Sequence, residues 1–277
     1  MNEPGAAIEL RHVSHTFGDG RRGVAVLDDV SVDVKPRSFV SLVGPSGCGK
    51  STLLRILAGL LRPSTGEAYI NSASTVGRPG LAAFMPQKDL LLPWRRALGN
   101  TTLGAEVAGQ SKGDAERRAR ELLGLFGLEG FESAWPSQLS GGMRQRVALL
   151  RTFLLPGNAL LLDEPFGALD AITRREMQRW LQDVWLRDRR TVLLVTHDVE
   201  EALVLSDVVY VMSPRPGRIV AAVEVPFPRP RDSAAVTNPE FVALKARLLE
   251  ALEGRDIAPE GTERRFDREP TEDAADM

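Results

Sequence analysis

The sequence has a single cysteine and no long uninterrupted apolar run. With Cys48 alone, an internal disulfide is excluded. The most apolar stretch, residues 147–162, is interrupted by Arg151 and by Pro156-Gly157-Asn158, so it falls short of the roughly 18 consecutive apolar residues that a membrane span needs. If the protein works at a membrane, another chain must cross the bilayer.

A strong net charge is also absent. The 277 residues include 35 Lys or Arg and 37 Asp or Glu, a formal net charge of -2, which argues against nucleic acid as the main partner. The start Asn2-Glu3-Pro4 lacks the basic and apolar regions of a signal peptide, so we expect a cytoplasmic protein. The hydrophobic and charged fractions, 43% and 26%, are those of an ordinary globular chain that can bury a core.

What the sequence does contain is a phosphate-binding pattern. Residues 39–43 before it form an apolar run of strand length, and leucines recur after it at helical spacing. Strand, loop and helix in this order predict a phosphate loop, in which backbone N–H groups and the positive end of a helix face a nucleotide β-phosphate. The predicted loop consists of Gly44, Pro45, Ser46, Gly47, Cys48, Gly49, Lys50, Ser51 and Thr52.

Three side chains of this loop have separate predicted roles. Lys50 would reach the β- and γ-phosphates, and the Ser51 hydroxyl would bind Mg²⁺. Positive dipoles around Cys48 favour a thiolate, which predicts that alkylation blocks nucleotide binding and that the nucleotide protects the thiol. The alternative is that Cys48 is only a small spacer.

Upstream of the loop, the pattern predicts antiparallel strands. One runs from Ile8 to Phe17, and in the next Val30, Val32 and Val34 alternate with polar residues. The Phe17 ring either stacks on a nucleotide base or is a core or edge aromatic.

Residues 88–138 are predicted to form a helical insertion. Before it, residues 82–85 predict a short strand, which Gln87 follows. Asp114 would cap a helix whose apolar face consists of Ala115, Ala119, Leu122, Leu123 and Phe126. The loop of the insertion carries an apolar cluster that is either a docking surface or the subdomain's own core: Leu90, Leu91, Leu92 and Trp94.

Further along, a capped helix precedes an apolar strand that ends in two carboxylates. Ser140 can cap the helix that opens with Gly141 and Gly142. The apolar run before Asp163 and Glu164 suits a strand buried on both faces of a parallel sheet, which binds ligands at its carboxyl end. There Asp163 can hold Mg²⁺, and Glu164 can orient or deprotonate an attacking water.

Another apolar strand, residues 191–195, leads to His197. A neutral imidazole there can bond a γ-phosphate oxygen or the attacking water, and the alternative is a structural histidine beside a helix cap at Asp198. The sequence predicts further strands at 208–212 and 219–225.

From Pro226 the composition indicates a linker, followed by a short amphipathic helix at 241–252 and a charged tail predicted to be disordered. Residues 245–277 hold six Lys or Arg and ten Asp or Glu, so the slight acidity of the chain belongs to this tail.

In their order, these motifs closely resemble those of the ATPase subunit of ATP-binding cassette (ABC) transporters. The resemblance covers about residues 6–225. It implies an α/β fold of the P-loop type, with a mostly parallel sheet core, an N-terminal antiparallel β subdomain and the helical subdomain at about 88–138. Residues 226–277 would be the linker, short helix and tail outside that domain.

The resemblance also implies roles shared between two subunits. Gln87 would be the lid-loop glutamine that senses Mg²⁺ and the membrane partner. Ser140-Gly141-Gly142 would be the signature that contacts the γ-phosphate of ATP held by the opposite subunit, and Asp170 would lie in the loop that crosses the interface. The signature ends in Met143, where many family members carry Gln. Because the chain has one copy of each motif, it would supply half of each site in an ATP-bound homodimer or a pseudo-dimer with a paralogue.

Three phrases, residues 91–94, 164–170 and 212–219, resemble those of bacterial importers of the nitrate, aliphatic sulfonate and taurine group. The implied activity is Mg²⁺-dependent ATP hydrolysis at the cytoplasmic face of the membrane, driving uptake through a separate permease that is served by a substrate-binding protein, with no role for nucleic acid. Importers of vitamin precursors carry similar phrases, and exporters or soluble cassette ATPases would share the site chemistry. The ATPase sequence leaves the transported substrate open.

Overall fold

The computed structural model describes residues 6–18 and 23–254, so the predicted tail beyond residue 254 lies outside the described residues. The strands, in chain order, are β1 (Ile8–Phe17), β2 (Val24–Val34), β3 (Phe39–Val43), β4 (Thr65–Ile70), β5 (Ala73–Ser74), β6 (Ala83–Met85), β7 (Ala159–Asp163), β8 (Thr191–Thr196), β9 (Val208–Met212) and β10 (Ile219–Glu224). The helices are α1 (Lys50–Leu57), α2 (Ala97–Val107), α3 (Lys112–Leu123), α4 (Gly141–Leu154), α5 (Ala171–Asp188), α6 (Val199–Leu205), α7 (Ser233–Val236) and α8 (Pro239–Leu252). The predicted α/β fold is confirmed.

The larger sheet brings the ends of three motif-bearing strands together. Its order is β10-β9-β3-β8-β7-β6, and its neighbours run parallel except β10, which is antiparallel to β9. Every residue of β3, β7 and β8 is buried, as expected for apolar strands covered on both faces. The segments that follow these three strands therefore lie at one edge of the sheet.

The N-terminal sheet is antiparallel, in the order β2-β1-β4-β5. The alternation in β2 is confirmed, since Val30, Val32 and Val34 are buried. They share one hydrophobic core with α1 and with one face of the larger sheet. This packing holds the phosphate loop between the two sheets.

Helices α2 and α3 lie in the predicted helical segment and pack on each other and on α4, which follows that segment and also contacts β6. The predicted apolar face of α3 is buried at Ala115, Ala119 and Leu123. The predicted cap at Asp114 is wrong. Ser111 caps α3 instead, because its hydroxyl accepts a hydrogen bond from the backbone N–H of Asp114 at 3.4 Å, one turn inside the helix.

The segment after Pro226 is anchored to the main core. Helix α8 confirms the predicted short helix and buries Phe241, Leu244 and Leu248 there. Arg231 is 2% exposed and donates hydrogen bonds to carbonyl groups at the end of α6, which include those of Leu203 and Ser206. Among the described residues, no helix is long and apolar enough to cross a membrane.

Candidate functional site

The phosphate loop is a tight turn that only glycine can make at two positions. Gly47 and Gly49 have φ of 78° and 116°, in the left-handed region. A Cβ on Gly49 would also lie 2.6 Å from Leu27 Cδ2, so β2 approaches the loop closely. Helix α1 begins at Lys50, and the backbone N–H groups at its start have no partner within the helix. They form the anion-binding end that the sequence predicts.

The ammonium group of Lys50 lies inside this loop. Its Nζ donates to the carbonyl oxygens of Gly44 at 2.6 Å and Pro45 at 2.9 Å. Lys50 is buried, so its charge is screened by water less than that of a surface lysine. A phosphate held by the loop would meet a positive charge that is already in place.

Ser51 and Asp163, both predicted metal ligands, are brought together from helix α1 and the end of strand β7. The Ser51 hydroxyl donates to Asp163 Oδ1 at 3.1 Å. Burial raises the pKa of Asp163, and the hydrogen bond from Ser51 acts in the opposite direction. These two hard oxygen donors beside a phosphate loop fit Mg²⁺, which binds to one or two protein oxygens together with phosphate oxygens and water. No cluster of three or more His, Cys, Asp or Glu suited to a metal occurs in the described ranges, so phosphate would have to complete the coordination.

Glu164 is the point at which the predicted catalytic residues meet. Gln87 donates from Nε2 to Glu164 Oε2 at 3.1 Å, and His197 Nδ1 lies 3.3 Å from Glu164 Oε1. The backbone of Glu164 has φ of 48°, which costs on the order of 1–3 kcal/mol for a residue other than glycine. Its N–H donates to the carbonyl of Val195 at 2.9 Å and its carbonyl accepts from Gln145 at 3.4 Å, so neighbouring elements hold this strained geometry.

Arginines of α4 fix the loop that carries Gln87. Arg144 forms an ion pair with Asp89 at 3.1 Å. Arg151 donates to the carbonyl oxygens of Asp89 at 2.7 Å and Leu90 at 2.9 Å. The helix that begins at the signature is therefore tied directly to the lid loop.

The signature residues lie at the start of α4, away from the phosphate loop. Ser140 caps α4 as predicted, accepting from the N–H of Met143 at 3.2 Å, and both Ser140 and Gly141 are exposed. A Cβ on Gly142 would lie 3.1 Å from Leu169 Cδ2, so the signature packs beside the segment that precedes Asp170.

Asp170 is exposed and caps α5. Its carboxylate accepts from the N–H groups of Ile172 and Thr173 and from the Thr173 hydroxyl, and the Thr173 backbone bond is the main reason that the pKa of Asp170 is lowered. Among the described residues, no hydrogen bond joins Ser140 or Asp170 to the phosphate loop. Within the described residues, the predicted phosphate loop and carboxylates are thus brought together without a hydrogen bond to Ser140 or Asp170.

The aromatic and thiol side chains near the loop differ in exposure. Phe17 is 43% exposed and packs edge-on against the buried His15, with ring centroids 4.5 Å apart. This leaves the Phe17 ring accessible for stacking. Cys48 is buried in the core shared by the two sheets, which supports the alternative of a spacer residue over a reactive thiol.

Comparison with a protein-family model decides the family. The model described as ABC transporter matches residues 27–167. The chain belongs to the ABC transporter family. As an ABC ATPase, it carries the phosphate loop and the Asp163-Glu164 pair within the matched residues.

Relatives of this ABC ATPase extend the match over most of the chain. The taurine import ATP-binding protein TauB of Rhizobium johnstonii is 44% identical over 237 residues, which cover 83% of this chain and 90% of that protein. The aliphatic sulfonates import ATP-binding protein SsuB 1 of Rhodococcus jostii is 46% identical over 245 residues, which cover 88% of this chain and 93% of that protein.

Two solved structures of the ABC transporter cassette MJ0796 have the same fold. The dimeric structure has a TM-score of 0.72 at 31% identity and covers 79% of this chain and 99% of that one. The dimeric post-hydrolysis state bound to ADP and Pi has a TM-score of 0.72 at 30% identity, with the same coverage of 79% and 99%.

Two residues that contact the site of this ABC ATPase were not predicted. Gln145 holds the backbone of Glu164, and Arg215 donates to the carbonyl of Gly47. Both act on backbone carbonyl groups, which every residue has, so neither leaves a distinctive spacing in the sequence. The phrase at residues 212–219, which contains Arg215, was the only available signal.

Proposed function

We propose that this ABC ATPase is the ATP-hydrolysing subunit of an importer for small oxyanions of the nitrate, taurine and aliphatic sulfonate class. The supporting observation is the convergence of Gln87 and His197 on the carboxylate of Glu164, next to a phosphate loop and a pair of hard oxygen donors. The TauB and SsuB 1 names of its relatives support the substrate class.

In the proposed mechanism, the loop of residues 44–52 and Lys50 bind the phosphates of ATP, and Phe17 stacks on the base. Ser51, Asp163 and Gln87 would hold Mg²⁺, and this ion would neutralise phosphate charge. Glu164 accepts the proton of the attacking water, and such a base contributes roughly 10² to 10⁴ in rate. The hydrogen bond from Gln87 and the nearby ring of His197 orient its carboxylate, and His197 would also bond a γ-phosphate oxygen.

The position of the signature, away from the phosphate loop, supports a homodimer in the ATP-bound state. The start of α4 is exposed and rich in glycine, and a helix N-terminus of this kind favours an anion. Two head-to-tail copies would place Ser140-Gly141-Gly142 of one on the γ-phosphate bound to the other, with Asp170 in the interface. The dimeric MJ0796 structures support this arrangement.

The permease would dock near the lid loop, on the cytoplasmic face of the membrane. Leu91 packs against the core, while Leu90 and Trp94 are 59% and 70% exposed. The apolar cluster therefore supports both expected roles. Leu91 belongs to the core, and Leu90 and Trp94 form an exposed surface available to a membrane protein. A substrate-binding protein would meet the permease on the other side of the membrane.

Reconstitution with the permease that co-purifies with this chain tests the proposal. In sealed vesicles with ATP supplied at the ATPase side, taurine or an alkane sulfonate should be accumulated on that side only when the binding protein is present outside. Accumulation of nitrate alone or of a pyrimidine-type vitamin precursor would reassign the substrate. Transport of the solute away from the ATPase side would make the complex an exporter. If this chain co-purified with no membrane protein, the transport function would be contradicted.

A further inference from the structure

The turn between β9 and β10, residues 213–218, lies against the phosphate loop. Arg215 donates from Nε and Nη2 to the carbonyl oxygen of Gly47, at 3.0 and 2.8 Å. Gly217 is so close that a Cβ on it would lie 2.2 Å from the carbonyl oxygen of Cys48. Sequence patterns link this turn only to a group of importers, whereas the structure shows that it contacts the nucleotide site.

The turn is a firm support because it is bonded to β2 independently of Arg215. Gly217 donates to the carbonyl of Val26 at 2.9 Å and accepts from the N–H of Asp28 at 3.0 Å. Arg218 forms an ion pair with the Asp28 carboxylate. Arg215 therefore reaches the loop from a backbone that is already held in place.

Gly47 is the part of the loop that most needs such a contact. It is exposed, lacks a side chain and has φ of 78°, so the peptide between Gly47 and Cys48 can rotate at little steric cost. In a trans peptide the C=O and N–H bonds point in opposite directions. A rotated peptide would turn its carbonyl oxygen toward that of Pro45, and the two negative oxygens would repel each other.

The observed orientation avoids that repulsion. With the Gly47 carbonyl turned toward Arg215, the N–H of Cys48 donates to the carbonyl oxygen of Pro45 at 3.3 Å and closes the turn of the loop. The same oxygen accepts from Lys50 Nζ at 2.9 Å, so this turn also helps to place the predicted phosphate-binding lysine.

We propose that Arg215 is a positioning residue of the phosphate site, which holds the Gly47–Cys48 peptide in the orientation that keeps the loop closed for the β-phosphate of the nucleotide. The proposal rests on the proposed ATPase function. A guanidinium offers two donors in a fixed plane, which a lysine ammonium cannot reproduce. Its bonds also polarise the peptide and make the N–H on the far side a stronger donor.

Nucleotide binding by three single variants tests this role. Arg215→Lys keeps the charge without the paired donors, Arg215→Gln removes the charge, and Arg218→Gln is a matched control in the same turn that does not touch the loop. Calorimetric titration with ATP, ADP and AMP should show binding of ATP and ADP weakened about tenfold by both Arg215 variants, since a bond that serves a charged ligand is lost. AMP, which lacks the β-phosphate, should bind as to the wild type, and Arg218→Gln should match the wild type throughout.

Steady-state kinetics gives a second readout, with KM for ATP raised about as much as binding is weakened and kcat within about twofold of the wild type. Wild-type binding by Arg215→Lys, with loss only in Arg215→Gln, would mean that the charge acts at a distance and would overturn the positioning role. Equal weakening of AMP, ADP and ATP would also overturn it, by indicating a general disturbance. If the wild type itself binds no ATP, the proposed function fails first, and the two failures are thereby distinguished.

Discussion

Gln178 of α5 donates a hydrogen bond to the buried carboxyl group of Glu201 in α6, with Nε2 3.2 Å from Oε2. Glu201 is 4% exposed, and this burial raises its pKa to about 7. Hydrogen bonds from Thr196 and Gln178 favour the ionised form, and their effect is smaller than that of burial. A carboxyl group that takes up a proton near neutral pH thus lies three residues after Asp198, the cap of α6.

Folding stability should therefore decrease as pH rises from about 5 to about 7, the window between the pKa of Glu201 in the unfolded and the folded chain. In that window the folded protein binds the extra proton, so a rise in pH favours unfolding. Glu201→Gln should remove this contribution and stabilise the protein at pH 8 by on the order of 1–3 kcal/mol. Urea unfolding at several pH values measures it, with Glu200→Gln as the control. An unchanged difference between Glu201→Gln and the wild type across the range would contradict a raised pKa.

Glu164→Gln should keep ATP binding and lose turnover by at least about 10²-fold, because the amide cannot take a proton from water but retains the size of the side chain. The ATP-bound dimer should accumulate, which gel filtration with Mg²⁺ and ATP detects. Phosphate release at the wild-type rate would remove Glu164 as the base.

Substitutions of Ser140 separate its structural role from its proposed role in catalysis. Ser140→Asp preserves an oxygen that can cap α4 and adds a negative charge where the γ-phosphate of the partner's ATP would lie. We expect a nearly unchanged free energy of unfolding together with loss of ATP-driven dimerisation and activity. Ser140→Ala should cost about 1 kcal/mol through the lost cap. Full ATPase activity in Ser140→Asp would exclude the signature from the site.

Trp94→Ala should leave the ATPase activity of the isolated subunit within about twofold of the wild type, since the exposed side chain is not part of the nucleotide site. Co-purification with the permease should be lost, because aromatic side chains at the centre of an interface contribute most to binding. Val107→Ala, at another exposed apolar position, is the control. A complex of undiminished yield would place the permease elsewhere.

Arg231→Met should lower the free energy of unfolding by about 3 kcal/mol, since it leaves several buried carbonyl groups of α6 and the following segment without donors. The backbone of Arg231 would still bond Gln182, which donates to its carbonyl at 3.1 Å and accepts from its N–H at 2.8 Å. Arg179→Met, at an exposed position of α5, is the control for losing a charge. Equal urea midpoints for the two variants would contradict the capping role of Arg231.

The buried strands and the site residues at their ends were predicted best, because the apolar pattern and the ligand chemistry of these residues point to the same place. Residues 160–162 could only suit a strand covered on both faces, and the motifs placed Gln87, Glu164 and His197 in one site. The left-handed backbone of Glu164 could not be predicted, because it depends on the hydrogen bonds that Glu164 donates to Val195 and accepts from Gln145 rather than on a turn-forming residue.

The anchoring of Arg231 was hidden for a related reason. Proline and arginine are typical of linkers, and nothing in the composition distinguishes a solvated guanidinium from one that serves buried carbonyl groups. Long-range contacts to the backbone leave no periodicity in the sequence. The cap of α3 was wrongly predicted at Asp114 because Ser111, one turn earlier, is also a residue type that caps helices.

The burial of Phe241 and Leu248 has a practical consequence for anyone who shortens this protein. A recombinant fragment that ends before Pro226 would expose the hydrophobic surface that α8 covers. Such a fragment should aggregate or unfold at modest temperature. Affinity tags and fluorescent labels belong beyond Gly254, where the helix has already ended.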